Sequence, residues 1–140
     1  MKILRLLIVL LSLAGVVDSW LALRVHYSTG TEPCDINARW DCGVVNHSSY
    51  AEIQHVPVAV LGIAGYLLLA ALAWLRRERL LTLAAIPGLG IALYLTHIEK
   101  DVLMVYCLYC VISQVLIVLI LLMALAWAIW NGKNRQSSLA

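Results

Sequence analysis

The chain has 140 residues, of which 63% are hydrophobic and only 13% charged, and its net charge is +2. A soluble domain carries roughly 45–50% apolar and about 25% charged residues, so this composition excludes a water-soluble globule and describes a membrane protein. The small net charge, with no basic face interleaved with aromatics, excludes a nucleic-acid binder, and the length allows one domain.

Residues 3–23 form the first apolar run, headed by Lys2 and Arg5. It has about the 20 residues that a spanning helix needs and exceeds the roughly 7–15-residue apolar centre of a signal peptide. Asp18 and Trp20 also make a poor cleavage context, so an uncleaved helix is expected. Residues 24–56 are polar, and Gly30, Pro33, Asp35, Asn37 and Gly43 read as loop. This stretch holds the first cysteine pair, Cys34 and Cys42. Ser49-Tyr50-Ala51-Glu52 has the spacing of a capping box, which predicts a short interfacial helix over residues 50–55.

Pro57 opens the second run, residues 57–75, since proline suits a first helical turn. Gly62 and Gly65 are expected to let a neighbouring backbone approach. The third run, residues 80–98, contains Pro87, Gly88 and Gly90 and predicts a kink. After a polar crossing the fourth run covers residues 102–130, with the second cysteine pair, Cys107 and Cys110, near its start.

Lysine and arginine placement predicts the orientation. Lys2, Arg5, Arg76, Arg77, Arg79, Lys133 and Arg135 fall on one side, and Arg24, Arg39 and Lys100 on the other. Both termini are thus expected in the cytoplasm, with all four cysteines facing an oxidising compartment, the periplasm in a bacterium.

A Cys-x-x-Cys pair alone is a weak signal, compatible with a redox couple, a static disulfide or a metal site. At a helix N-terminus a thiolate is favoured by free N–H groups and the macrodipole. Zinc would need further ligands at suitable spacing, and His26, His47, His55 and His97 do not supply them. Thiol–disulfide exchange needs two pairs within reach, and two pairs on one side meet that need. A relay toward a lipid-soluble electron acceptor is favoured over two static disulfides.

The ordered pattern Cys34-x7-Cys42, Ser48, Pro57 and Gly62 opening a helix, then Cys107-x-x-Cys110 heading the last helix, resembles the vitamin K epoxide reductase family over residues 18–114. The bacterial members are more similar than the vertebrate ones. The resemblance implies an all-α four-transmembrane-helix bundle enclosing a quinone pocket, a single domain over residues 1–140. It implies a membrane thiol oxidase that relays electrons from a thioredoxin-like partner to a membrane quinone of the ubiquinone or menaquinone type, supporting disulfide formation. With no fused thioredoxin-like domain in these residues, the partner is expected to be a separate periplasmic protein, and the chain to sit in the inner membrane.

Carried over residue by residue, Cys110 engages the quinone, Cys107 exchanges with Cys42, and Cys34 meets the partner. Ser48 positions the loop, or is a plain helix-capping serine. Vertebrate members carry a tyrosine where Gln114 stands and a quinone-bonding asparagine where Val58 stands, so epoxide reduction is the alternative reading. Gln114, on the helical face of Cys107 and Cys110, is a candidate quinone donor or a buried interhelical glutamine. Asp35 is a loop or turn residue, and Glu99 and Asp101 read as solvated charges before they read as proton carriers. Trp20, Tyr27, Tyr50, Tyr94 and Tyr106 are expected in the outer interfacial belt.

Overall fold

The computed structural model describes residues 1–140, and its element order is helical almost throughout. Four long helices pack together: α1 (Lys2–Tyr27), α3 (Val58–Trp74), α4 (Glu78–Ile98) and α5 (Leu108–Leu139). A five-residue helix α2 (Cys42–Asn46) and a hairpin of β1 (Glu52–Ile53) and β2 (Val56–Pro57) lie between α1 and α3. Three helical segments, Lys2–Tyr27, Glu78–Leu103 and Leu108–Leu139, are long and apolar enough to cross a membrane. Val58–Trp74, with 17 residues, is shorter.

The larger of two apolar clusters joins the long helices through Ile8, Tyr66, Leu69, Leu81, Ile120 and Trp127. Large apolar side chains such as Leu13, Leu67, Leu83 and Leu122 remain exposed around it. In water such a surface would drive aggregation; in lipid it is the solvent-matched face of a bundle whose backbone polar groups are satisfied within each helix.

The helices meet through small residues. A Cβ at Gly15 of α1 would collide with the Tyr66 ring of α3, and one at Gly62 of α3 would come 2.6 Å from Ser19 Oγ of α1. Gly62 therefore serves the close approach expected of it. Gly65 meets nothing within 4 Å and faces a cavity instead. Pro87 sits inside an α4 that continues past it; its ring nitrogen donates nothing, so one carbonyl a turn earlier loses its partner.

The bundle has two chemically distinct ends. At one, Arg5 lies 5.8 Å from the Trp74 ring and Arg135 lies 3.6 Å from the buried Glu78. These contacts gather the N-terminus of α1, the α3–α4 turn and the C-terminal part of α5. The cysteines occupy the other end.

Three expectations at the cysteine end are corrected. Residues 42–46, read as loop, form α2, because the Asp41 side chain caps it by accepting from the Val44 N–H at 2.9 Å. The helix expected over residues 50–55 is replaced by the 3₁₀ turn Ser49–Ala51 and the β1–β2 hairpin, with Gln54 and His55 at positive φ in the reversal. The last helix begins at Leu108, not near residue 102. Residues Glu99–Leu103 prolong α4 as a π-helical turn, and Met104 ends it in the left-handed region at φ 55°. Residues 105–107 are then drawn out by pairing with the loop: the Tyr106 N–H donates to Arg39 O at 2.7 Å, and the Asp41 N–H donates to Tyr106 O at 3.1 Å. Apolar periodicity cannot separate such a segment from a helix start, because both are apolar.

Candidate functional site

The loop between α1 and α2 is short and tightly tied. Asp35 accepts from the Glu32 N–H at 2.7 Å and from the Gly43 N–H at 3.1 Å, so its carboxylate clasps the two ends of the Cys34–Cys42 segment. These bonds, the Glu32 N–H first, hold the Asp35 carboxyl below its ordinary value of 3.8. Asn37 Oδ1 accepts from the N–H groups of Arg39 and Trp40, and the Trp40 ring stacks, tilted, 5.6 Å from that of Tyr106. A segment that reads as a flexible loop is therefore fastened both to itself and to the extended residues preceding Cys107.

Cys34 and Cys42 are disulfide-bonded, with Cα atoms 5.8 Å apart, and both are buried. Cys107 and Cys110 are free thiols. Cys34, Cys42 and Cys107 pack into one cluster with Val25 and Val45, and Cys110 lies at its edge. The structure thus brings the two sequence-distant pairs together. It also buries Cys34, at 3% exposure, the residue expected to meet a partner; the loop must open before any protein thiol can reach it.

Cys107 is the N-cap of α5, with extended backbone at φ −100° and ψ 124°. Its amide N–H donates to Glu99 Oε2 at 3.1 Å. Its sulfur receives the Asn46 side-chain N–H at 3.5 Å, and the same Nδ2 also donates to the Cys42 carbonyl at 2.9 Å. The Cys107 thiol is held below its ordinary value of 9.0, first by its hydrogen bond with the Cys110 thiol and against the opposing effect of burial. A thiol at a helix N-terminus with side-chain and backbone donors around it is one poised toward its anion.

One helical turn into α5, Cys110 lines a cavity of about 180 Å³. The walls are mostly apolar, from α3, α4 and α5. Its polar groups include Asp18 and Ser19 of α1, Asn46 and Ser48, and the Tyr66–Ser113 pair. The Tyr66 hydroxyl bridges Ser113 O and Ser113 Oγ, each at 2.8 Å, and so ties α3 to α5 beside Cys110. His26, also on the lining, engages the Asn46 carbonyl through Nδ1 at 2.6 Å and Glu52 through Nε2 at 3.2 Å, anchoring α2 and the hairpin to α1.

The remaining sequence candidates divide. Val58 and Ser48 line the cavity, and the Ser48 hydroxyl donates to Val45 O at 2.7 Å, closing α2. Gln114 does not line it: its Oε1 accepts from the Thr96 hydroxyl, which makes it a contact between α5 and α4. Asp101 is exposed and pairs with His97 at 2.8 Å. Glu99 overturns its expectation as a solvated charge, being 1% exposed. Asn46 was invisible as a site residue, since only folding α2 onto α5 brings it to Cys107. The π-helical turn that turns Glu99 inward has no sequence signal of its own.

Fold and site together define a helical membrane protein with a cysteine redox site, one pair bonded, one pair free, at the edge of an apolar cavity. The chain belongs to the vitamin K epoxide reductase family, which matches residues 6–125. Membership implies an oxidoreductase with a quinone-linked disulfide role. No curated protein sequence matches the chain significantly.

Proposed function

We propose that this protein is a quinone-dependent thiol oxidase that draws electrons from a separate periplasmic thioredoxin-like protein and so supports disulfide formation. The observation that carries this reading is the division of labour within the Cys-x-x-Cys. Cys107 packs against the Cys34–Cys42 disulfide, and Cys110 lines the apolar cavity. A cavity with apolar walls, a few polar edge groups and a sulfur at its rim suits a flat quinone ring.

The relay runs as successive exchanges. A partner thiolate attacks Cys34, breaking Cys34–Cys42 and freeing the Cys42 thiolate. The partner's second thiol then closes the partner's own disulfide and releases Cys34. Cys42 attacks Cys107 of an oxidised Cys107–Cys110 pair, and Cys110 leaves with the electrons. Cys34 then attacks Cys42, re-forming Cys34–Cys42 and releasing Cys107. The cycle closes when Cys107 and Cys110 re-form their bond and the quinone takes up two electrons and two protons.

We place four spans in the inner membrane. At 1.5 Å per residue α3 is about 26 Å long, close to the hydrocarbon thickness of about 30 Å. Arg5 and Arg135 at the end opposite the cysteines agree with cytoplasmic termini and periplasmic cysteines. Reduction of vitamin K epoxide is the less favoured reading, because Val58 and Gln114 bring no hydrogen bond to the cavity.

The test is turnover by the purified chain in proteoliposomes, with dithiothreitol or a reduced thioredoxin-like protein as donor and short-chain ubiquinone or menaquinone as acceptor. Quinol should form, and Cys110→Ala should abolish it. Quinol formation at the full rate in Cys107→Ala and Cys110→Ala would overturn the mechanism.

A further inference from the structure

Glu99 is a buried carboxylic acid beside the Cys-x-x-Cys. It is 1% exposed, at the junction where α4 widens into a π-helical turn; such turns recur at functional sites. Its main chain is fixed by the Val105 N–H, which donates to Glu99 O at 3.1 Å, and its Oε2 by the Cys107 N–H at 3.1 Å. The second oxygen, Oε1, is buried and has no hydrogen-bond partner. The carboxyl lies beside the Cys110 thiol and lines the same cavity as Cys110. A buried polar atom without a partner is uncommon and calls for a reason. No lysine or arginine neutralises this one; the cation next to it in sequence, Lys100, is exposed.

We propose that Glu99 is a catalytic residue that carries the Cys110 proton to the bound quinone. The inference rests on the quinone-reductase reading above. Cys107 enters the step as a thiolate, cradled by the Asn46 N–H, and Cys110 as a thiol. The Cys110 S–H bond breaks, the Cys107–Cys110 bond forms, and two electrons pass to the quinone. Glu99 gives the proton on Oε1 to the quinone oxygen on its side and takes the Cys110 proton in its place. The far quinone oxygen takes the second proton from solvent, replacing the one lost when Cys107 was released as its anion. Glu99 ends the step as it began. Asp18, the other buried carboxyl on the cavity, has no such contact with either sulfur.

Glu99→Gln separates this role from a structural one, because the amide oxygen can still accept the Cys107 N–H but the side chain cannot relay a proton. In single-turnover experiments on the whole chain with dithiothreitol and short-chain ubiquinone, Glu99→Gln should keep the rate at which dithiothreitol reduces Cys34–Cys42 within about twofold. Quinol formation from the reduced protein should fall about 100-fold, the usual size of a lost proton-transfer contribution. Glu99→Asp should recover part of that loss, and wild-type quinol formation should slow severalfold in heavy water. Quinol formation by Glu99→Gln at the wild-type rate would overturn the proposal. So would an equal loss of both steps in Glu99→Gln and Glu99→Asp, which would make Glu99 a structural support for Cys107. Failure of the wild-type chain to form any quinol would instead sink the underlying function.

Discussion

The Asn46 side-chain amide spans the two redox pairs, donating from one nitrogen to the Cys42 carbonyl at 2.9 Å and to the Cys107 sulfur at 3.5 Å. One residue thus registers the loop disulfide against the Cys-x-x-Cys and offers the Cys107 thiolate a hydrogen bond. A bond to a charged group contributes about 1.5–3 kcal/mol. Asn46→Ala should therefore slow alkylation of Cys107 by iodoacetamide at neutral pH by about tenfold or more, read by mass spectrometry of the reduced protein.

Asp35 acts as a clasp on the disulfide loop. Asp35→Ala leaves the Glu32 and Gly43 N–H groups to solvent and should weaken the loop by about 1 kcal/mol, the usual net contribution of a hydrogen bond and below that of one to a buried charge. Because Cys34 is buried, a looser loop exposes it, and dithiothreitol should reduce Cys34–Cys42 severalfold faster in the variant. The pH dependence has a definite sign. The folded carboxyl sits below its ordinary value of 3.8, so its stabilisation is fully present above that value and is lost as pH falls through the lowered one. Loop opening in the wild type should be flat from pH 7 to about 5 and rise only below the usual carboxylate range.

A glycine in the α1–α3 contact and one on the cavity wall should respond differently. Gly15→Ala drives a methyl into the Tyr66 ring, itself pinned to Ser113, and overpacking of this kind costs about 1–3 kcal/mol. Gly65→Ala meets nothing within 4 Å and should change stability by less than about 0.5 kcal/mol. Because Gly65 lines the cavity, however, Gly65→Ala should raise the KM for quinone. Thermal unfolding in detergent, paired with quinone kinetics, reads both effects.

Gln114 and Tyr66 provide a further contrast. Gln114 spends its oxygen on Thr96 of α4 and is absent from the cavity wall. Gln114→Leu should cost about 1 kcal/mol of stability and leave the KM for quinone unchanged. Tyr66→Phe removes a hydroxyl beside Cys110 and should raise that KM at least severalfold. Steady-state kinetics with short-chain ubiquinone would decide, and a large KM effect from Gln114→Leu would return the residue to the quinone site.

Much of this protein is legible in one dimension because its solvent is lipid. Apolar runs of the required length are demanded wherever a helix must satisfy its own backbone, so α1, α4 and α5 stand out in composition alone, with α3 a shorter apolar run. The spacing of Cys34, Cys42, Cys107 and Cys110 likewise carried the family and the redox chemistry. The misread stretches are short and lie at the cysteine end. There local signals are a few residues long, and pairing between distant segments decides the conformation, as when Tyr106 joins Arg39 and Asp41.

The sequence by itself determined the solvent, the helices, the family and the four sulfurs, because each follows from residue type and spacing. Only the tertiary structure decided where those sulfurs sit relative to one another and to the cavity. Cys107 and Cys110 are three residues apart, yet the packing of α2 against the head of α5 turns one toward the loop disulfide and leaves the other on the cavity. The same packing brought Asn46 to Cys107 across 61 residues of chain, withdrew Glu99 from water, and sent Gln114 to Thr96. Those outcomes depend on which faces of separate helices meet, a relation between distant residues that no local pattern encodes.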